Sequence, residues 1–245
     1  MQLEGRVAIV TGGGSGIGAA VARALAGEGT RVALAGRRLG ELAAVAREID
    51  AAGGAALPAP ADVRDEGQVN SLVDQTLKTF GRVDILVNGA GQSPWIKMEE
   101  MTAAVWDETV GVNLRGAFLA AKAVWPHMLR QRGGQIFNIS SVASLQPYAG
   151  QAAYCASKYG LNGLTEVLAL EGRPHNIRAY AICPAATETA VWEGQAAPEV
   201  RRRMMRPEDV AEAIRWLAVQ PARLAFGPVV IRNLRDPWEA AEASG

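Results

Sequence analysis

The sequence predicts an α/β fold: an open, doubly wound parallel sheet of about seven strands with helices on both faces. Three observations carry that prediction. Short apolar runs alternate with stretches of helical period along nearly the whole chain. The first run, Val7-Ala8-Ile9-Val10, passes directly into a glycine-rich turn and then a helical pattern. No linker, repeat or break in composition divides the 245 residues, so 1–245 reads as a single domain.

Taken in order, strands are expected near Val7–Thr11, Arg31–Ala35, Ala55–Ala59, Val83–Asn88, Gln135–Ser140, Ile177–Cys183 and Val229–Arg232. Each is a short apolar run of the kind that a sheet covered on both faces requires. Gly53-Gly54 and Gly133-Gly134 mark turns before the third and fifth strands. The helical pattern after the first strand runs from Ala19 to Glu28, a long one from about Thr102 to Arg130, and another from Gln151 to Gly172. The polar, Ala-rich stretch from Asp236 to Gly245 reads as a loosely held tail.

Hydrophobic residues make up 49% of the chain and the formal net charge is zero. A neutral chain without a long basic run is not built to hold nucleic acid or an anionic membrane by bulk charge, so small molecules are the expected ligands. No apolar stretch approaches the ~20 residues that span a bilayer, and Met1-Gln2-Leu3-Glu4-Gly5 lacks the basic and apolar regions of a signal peptide. A cytoplasmic protein is expected, with Cys155 and Cys183 as reduced thiols. His127 and His175 stand alone, without a partner at metal-ligand spacing, so no metal site is expected.

Two motifs point to chemistry. Thr11-Gly12-Gly13-Gly14-Ser15-Gly16-Ile17-Gly18 links strand to helix, the context in which glycines let backbone approach a pyrophosphate and the helix N-terminus faces its charge. Tyr154-Cys155-Ala156-Ser157-Lys158, with Ser141 upstream, brings together a phenol, an ammonium and a hydroxyl; Tyr154 and Lys158 are four apart and share a helix face. A nearby cation favours the phenolate, so Lys158 is expected to lower the pKa of Tyr154. An ordinary amphipathic helix is the rival account of the Tyr-Lys spacing.

From about Gly5 to Val229 the chain resembles the short-chain dehydrogenases/reductases, enzymes of Rossmann-like fold. Thr11, Gly12, Gly16 and Gly18 match that family's glycine motif, Asp62-Val63 its adenine-side pair, and Asn88-Gly89-Ala90-Gly91 its Asn-Asn-Ala-Gly loop with Gly89 in place of the second Asn. Asn113, Ser141, Tyr154 and Lys158 fall at its catalytic positions. The resemblance implies that Tyr154 is the acid or base, that Ser141 holds the substrate oxygen, that Lys158 lowers the Tyr154 pKa and binds the ribose, and that Asn113 supports a water chain to Lys158. Its cofactor contacts would be Gly12, Ser15, Gly16, Ile17, Gly18, Arg37, Arg38, Asp62, Val63, Asn88, Ala90, Gly91, Tyr154, Lys158, Pro184, Thr187 and Thr189. It further implies a homo-oligomer, dimer or tetramer, paired through the Thr102–Arg130 and Gln151–Gly172 helices; burial within one subunit is the alternative.

Cofactor choice follows from charge. A carboxylate beyond the second strand would select NAD, whereas Arg accommodates the 2′-phosphate of NADP. Gly36-Arg37-Arg38 offers two cations and no carboxylate, which favours NADP(H) and leaves NAD(H) as the alternative. Several positions depart from the family pattern: Pro184-Ala185 replaces Pro-Gly, Tyr180 replaces an Asn, the Ala190–Met205 segment is short for a lid, and the final Gly-Gly is missing. These departures argue against the ketoacyl reductase of fatty-acid synthesis. Ala185 is expected to crowd the nicotinamide pocket, and the Arg201-Arg202-Arg203 run reads as a solvated lid helix.

Loops after the fourth, fifth and sixth strands carry Ser93, Trp95, Leu145, Gln146, Tyr148 and Trp192 toward the expected cleft, a wall suited to a ring-bearing or medium-chain carbonyl compound. The function expected is hydride transfer between NADP(H) and a carbonyl or secondary alcohol. The alternatives are an NAD-linked sugar-alcohol or hydroxysteroid dehydrogenase and a nucleotide-sensing protein on the same fold.

Overall fold

The computed structural model describes residues 3–239. Its seven strands are β1 (Val7–Thr11), β2 (Arg31–Gly36), β3 (Ala56–Pro60), β4 (Ile85–Asn88), β5 (Gly134–Ile139), β6 (Ile177–Pro184) and β7 (Val229–Ile231), each within two residues of the sequence expectation at either end. They form one parallel sheet in the order β3-β2-β1-β4-β5-β6-β7. The order reverses direction between β1 and β4, so a crevice opens beyond the carboxyl ends of those two strands.

Side chains alternate between two cores, as the period of a strand demands. Ala8 and Val10, Val32 and Leu34, Ile85 and Val87, and Phe137 and Ile139 face α1 (Gly16–Gly27), α2 (Leu39–Ala51) and α8 (Pro207–Ala218). Ile9, Ala33, Leu86 and Ile136 face α3 (Glu66–Phe80) and α5 (Gly116–Gln131), with Leu168 and Ala169 of α6 (Ala152–Gly172) at the edge. Each large aliphatic side chain buried this way contributes about 1.5–3 kcal/mol, which is why the central strands read as unbroken apolar runs. Tyr180 stacks on Phe137 with ring centroids 5.1 Å apart, so the residue that departs from the family pattern in β6 is a packing residue.

The long helix expected from Thr102 to Arg130 is not continuous. It begins as α4 (Ala103–Val110), capped by the Thr102 hydroxyl, widens into a π turn over Gly111–Arg115 and resumes as α5. The extra residue in the turn swings Asn113 out of helical register and into the space beside α6, a use of π turns that recurs at functional sites. Gly116 follows because α5 runs against Val63: a β-carbon there would stand 2.7 Å from Val63 Cγ2.

Candidate active site

The glycine turn is shaped by what lies behind it. Gly12 has φ +68°, and a side chain on it would meet the Gly89 carbonyl, while one on Gly18 would run into the carbonyl of Gly12. Thr11 Oγ1 accepts from the backbone N–H groups of Gly89 and Ala90 at 3.1 and 3.2 Å, fastening the turns after β1 and β4 together. The ends of β1 and β4 thereby become one backbone-lined floor at the mouth of the crevice.

A cavity of about 850 Å³ opens above this floor. Gly12, Ser15, Gly16, Ile17 and Gly18 line it, with Arg37, Arg38, Asp62 and Val63 at one end and Ala90, Gly91, Pro184, Thr187 and Thr189 along its length. Ser141, Tyr154 and Lys158 line the same space. An elongated cradle of glycine backbone, with cations at one end and a phenol and ammonium at the other, fits a dinucleotide.

Two expected contacts lie outside the cavity. Asn88 is buried beneath it, its amide donating to Asn138 Oδ1 at 2.8 Å and to the Ala117 carbonyl at 3.4 Å. It ties β4 to β5 and α5, because as the last residue of β4 it points into the sheet's packing rather than along the crevice. Asn113 stands behind the wall with both ends of its amide engaged: Oδ1 accepts from Gln92 N at 2.9 Å, and Nδ2 donates to Gln92 O at 2.9 Å and Ser157 Oγ at 3.1 Å. Ser157 in turn donates to the Tyr154 carbonyl at 2.7 Å, so Asn113 links the loop after β4 to the turn of α6 that carries the phenol.

Tyr154 keeps part of its surface open to the cleft, yet burial of its hydroxyl end pushes the phenol up to about 12; the hydrogen bond with Ser141 pulls the other way. The net lowering of the Tyr154 pKa expected from Lys158 is therefore absent: burial outweighs it, and the phenol stands above its ordinary value. Lys158 Nζ lies 5.6 Å from the phenol's ring centroid and donates to the Ile139 carbonyl at 2.6 Å. Burial lowers its own pKa to about 8, so it is charged at neutrality at some cost.

Asn162, which sequence reading missed, ties down both sides of Ser141. Asn162 accepts from Ser140 Oγ at 2.7 Å and donates to Ser144 Oγ at 2.8 Å, bracketing Ser141 from both sides. Asn162 lies one turn beyond Lys158 on α6; that spacing was the available signal.

At the other end, the charges differ from expectation. Arg38 is paired with Glu41 at 2.8 Å, and Glu41 lines the cavity beside Gly14. A carboxylate missing from Gly36-Arg37-Arg38 is thus supplied from the first turn of α2. Arg37 is exposed, has no ion pair among the described residues, and helps lower the Asp62 pKa, which the Arg64 hydrogen bond holds at about 2.

Ser93, Trp95, Tyr148 and Trp192 line the cavity as expected, but Leu145 and Gln146 do not; Leu145 turns to solvent after a 3-10 turn over Val142–Ser144. Ala185 lines the cavity without positive φ, its N–H bonded to the Ile231 carbonyl at 2.8 Å, so its methyl carries no backbone strain. The Ala190–Met205 segment is tied at its base, where Met205 N donates to Ala186 O and Glu188 N to Met205 O. Arg201 pairs with Glu188 and Arg203 with the Glu239 carbonyl, so those two cations hold the segment down and do not face the cavity. Residues 236–238 of the expected tail are in place at the cavity's edge, whereas 240–245 lie outside the described residues.

A family model described as short chain dehydrogenase matches residues 6–199. The chain belongs to the short-chain dehydrogenase/reductase family. Within it, the chain is 36% identical over 235 residues to a D-threitol dehydrogenase of Mycolicibacterium smegmatis, covering 92% of this chain and 90% of that one. It is 35% identical over 240 residues to the 3-oxoacyl-[acyl-carrier-protein] reductase FabG of Thermotoga maritima, covering 94% and 97%. A crystal structure of a metagenomic short-chain oxidoreductase in complex with NADP superposes with a TM-score of 0.84 at 37% identity, covering 96% of this chain and all of that one. This family member is accordingly an oxidoreductase with a Rossmann-like sheet. Among the described residues no helix is long and apolar enough to cross a membrane.

Proposed function

We propose that the protein is an NADP(H)-dependent oxidoreductase, a single catalytic unit spanning 1–245, that interconverts a ring-bearing carbonyl compound and its secondary alcohol in the cytoplasm. The observation that carries this reading is that Ser141, Tyr154 and Lys158 line the same cavity as the glycine turn. A nicotinamide cofactor would supply the hydride donor or acceptor, held by the Gly12–Gly18 turn, by Asp62 and Val63 at the adenine end, by Ala90 and Gly91 in the middle, and by Lys158, Pro184, Thr187 and Thr189 toward the ring. Arg37 is the cation open to a 2′-phosphate, since Glu41 holds Arg38. The NADP complex of the metagenomic relative agrees with that choice.

In reduction, Tyr154 gives its proton to the substrate oxygen as negative charge develops there, and in oxidation it takes that proton back. A phenol pushed up to about 12 is fully protonated at neutrality, which suits the reducing direction. An alkoxide is the stronger base, so the transfer still runs to the substrate. The Ser141 hydroxyl holds the substrate oxygen, and the ammonium of Lys158 stabilises the phenolate left behind. Asn113 positions Tyr154 and the Gln92 loop; with both ends of its amide engaged, it is a support rather than a proton carrier.

The runner-up is an NAD-linked polyol dehydrogenase, favoured by the Glu41 carboxylate and by the D-threitol relative. Trp95, Tyr148 and Trp192 speak against it: a polyol leaves hydroxyls unpaired on such a wall, at about 1–3 kcal/mol each. Steady-state kinetics with NADPH and NADH on 2-acetylnaphthalene and an acetoacetyl thioester, and with NADP and NAD on D-threitol, test the choice. Highest kcat/KM for the aryl ketone with NADPH is expected; D-threitol with NAD ranking first overturns it, and cofactor binding with no turnover anywhere points to a nucleotide-sensing protein. Phe118 on α5 and Tyr159, Val167 and Leu170 on α6 are exposed, which supports pairing of subunits through these helices, to be read by sedimentation.

A further inference from the structure

The chain after β7 turns back over the substrate end of the cavity. Asn233, Asp236, Pro237 and Trp238 line that space, and Pro237 is buried. Two ties hold the segment: Trp238 N donates to Asp236 Oδ1 at 2.9 Å, and Arg203, at the far side of the lid, donates to the Glu239 carbonyl at 2.7 Å. The turn made by Asp236 aims the Trp238 ring at Trp192, with centroids 5.3 Å apart and planes tilted by 59°. Trp192 meets Trp95 at 6.3 Å, and Trp95 meets Tyr148 at 6.5 Å. Rings from the loops after β4, β5, β6 and β7 thus form one row along the mouth.

The row is not consumed by packing. Trp238 is 52% and Trp95 45% exposed, although an indole left open to water gives up much of the burial that normally keeps it in place. A contiguous open aromatic surface along the wall of a cleft marks a place where a ligand completes the packing. The open faces and edges of rings tilted in this way accept a further flat ring against them.

We propose that Trp238 is a specificity-determining residue: held over Trp192 by the Asp236 turn and the Arg203–Glu239 tie, it closes the far end of the mouth and selects carbonyl compounds with a fused or extended aromatic ring. Asp236 acts through it as a positioning residue. The substrate class named here rests on the oxidoreductase reading, but the ring site itself is a matter of binding and is tested without turnover.

The test measures the affinity of 2-acetylnaphthalene for Tyr154→Phe protein saturated with NADP, by calorimetry, with and without a second change at Trp238. Trp238→Ala is expected to raise Kd about tenfold, and Trp238→Phe, which keeps a ring, by no more than about threefold. In the enzyme with Tyr154 intact, Trp238→Ala should lower the ratio of kcat/KM for 2-acetylnaphthalene to that for acetone by a similar factor. An unchanged Kd in Trp238→Ala overturns the proposal, as does an unchanged Kd accompanied by a fall in Tm, which makes the residue a staple for the lid. Failure of the Trp238-containing protein to bind 2-acetylnaphthalene overturns it too. If the ring binds and Trp238→Ala weakens it, while no carbonyl compound is turned over by any cofactor, the ring site stands and the oxidoreductase reading falls.

Discussion

At the Gly12–Gly18 end of the cleft the wall is backbone, closed so tightly that β-carbons on Gly12 and Gly18 would strike neighbouring carbonyls. At the Trp95–Trp238 end it is side chains, brought by loops after four different strands and touching through ring edges and faces. The first surface is specified by a few consecutive residues and by strand order. The second depends on where distant loops come to rest. One cleft therefore joins a backbone part where a side chain at Gly12 or Gly18 has no room to a side-chain part whose shape depends on single rings.

Tyr154 sits where the halves meet, and removing its hydroxyl is the hardest blow to the comparison. Tyr154→Phe keeps the ring and removes the proton, so turnover should fall by ~10²–10⁴ while NADP binding, which belongs to the backbone half, survives. Stopped-flow turnover and calorimetric titration with NADP read the two separately. An active variant, or one that loses NADP affinity in step with activity, would mean that the halves are not separable as described.

Arg37 tests the place where the cofactor half would meet a 2′-phosphate through a side-chain charge. Arg37→Asp replaces an unpaired cation with an anion beside Asp62 and Glu41. Losing a charge-assisted hydrogen bond and gaining a repulsion should shift the NADP/NAD preference by about 3 kcal/mol, roughly a hundredfold. Equal affinities for the two cofactors in the parent, unmoved by the substitution, would return the choice of cofactor to Glu41.

What the sequence made legible follows the same division. β1, its turn and α1 are consecutive, so composition and order alone place Gly12, Gly16 and Gly18. Tyr154 and Lys158 are readable because a helix fixes their spacing. The π turn at Gly111–Arg115 was not, since its residues keep helical period and only the contacts of Asn113 with Gln92 and Ser157 reveal the extra residue. Glu41 was hidden because its place beside Gly14 arises from the angle at which α2 leaves β2. Nothing local sets Trp238 apart from the polar, Ala-rich stretch around it; its place comes from Trp192, far away in sequence.

The smallest expected effect concerns stability, and it asks whether the catalytic junction is held against the protein's own preference. Lys158 is buried, and its pKa falls from 10.5 in an open chain to about 8 in the fold. Below pH 8 both states carry the charge, and the folded one bears the cost of burying it, about 3 kcal/mol. Between about 8 and 10.5 the unfolded chain holds a proton that the folded protein has released, so stability rises with pH across that window and the penalty fades. Lys158→Met removes the charge but also the charge-assisted bond to the Ile139 carbonyl, worth about 1.5–3 kcal/mol, leaving a net gain of about 1 kcal/mol at pH 7. For a chain of this size that raises Tm by about 2–4 °C without added nucleotide, while activity is lost. Thermal unfolding of both proteins at pH 7 and pH 10 decides it: the gap should narrow at the higher pH because the parent gains, and a variant less stable than the parent at pH 7, or a gap that does not change, would show that the ammonium is at home in the fold.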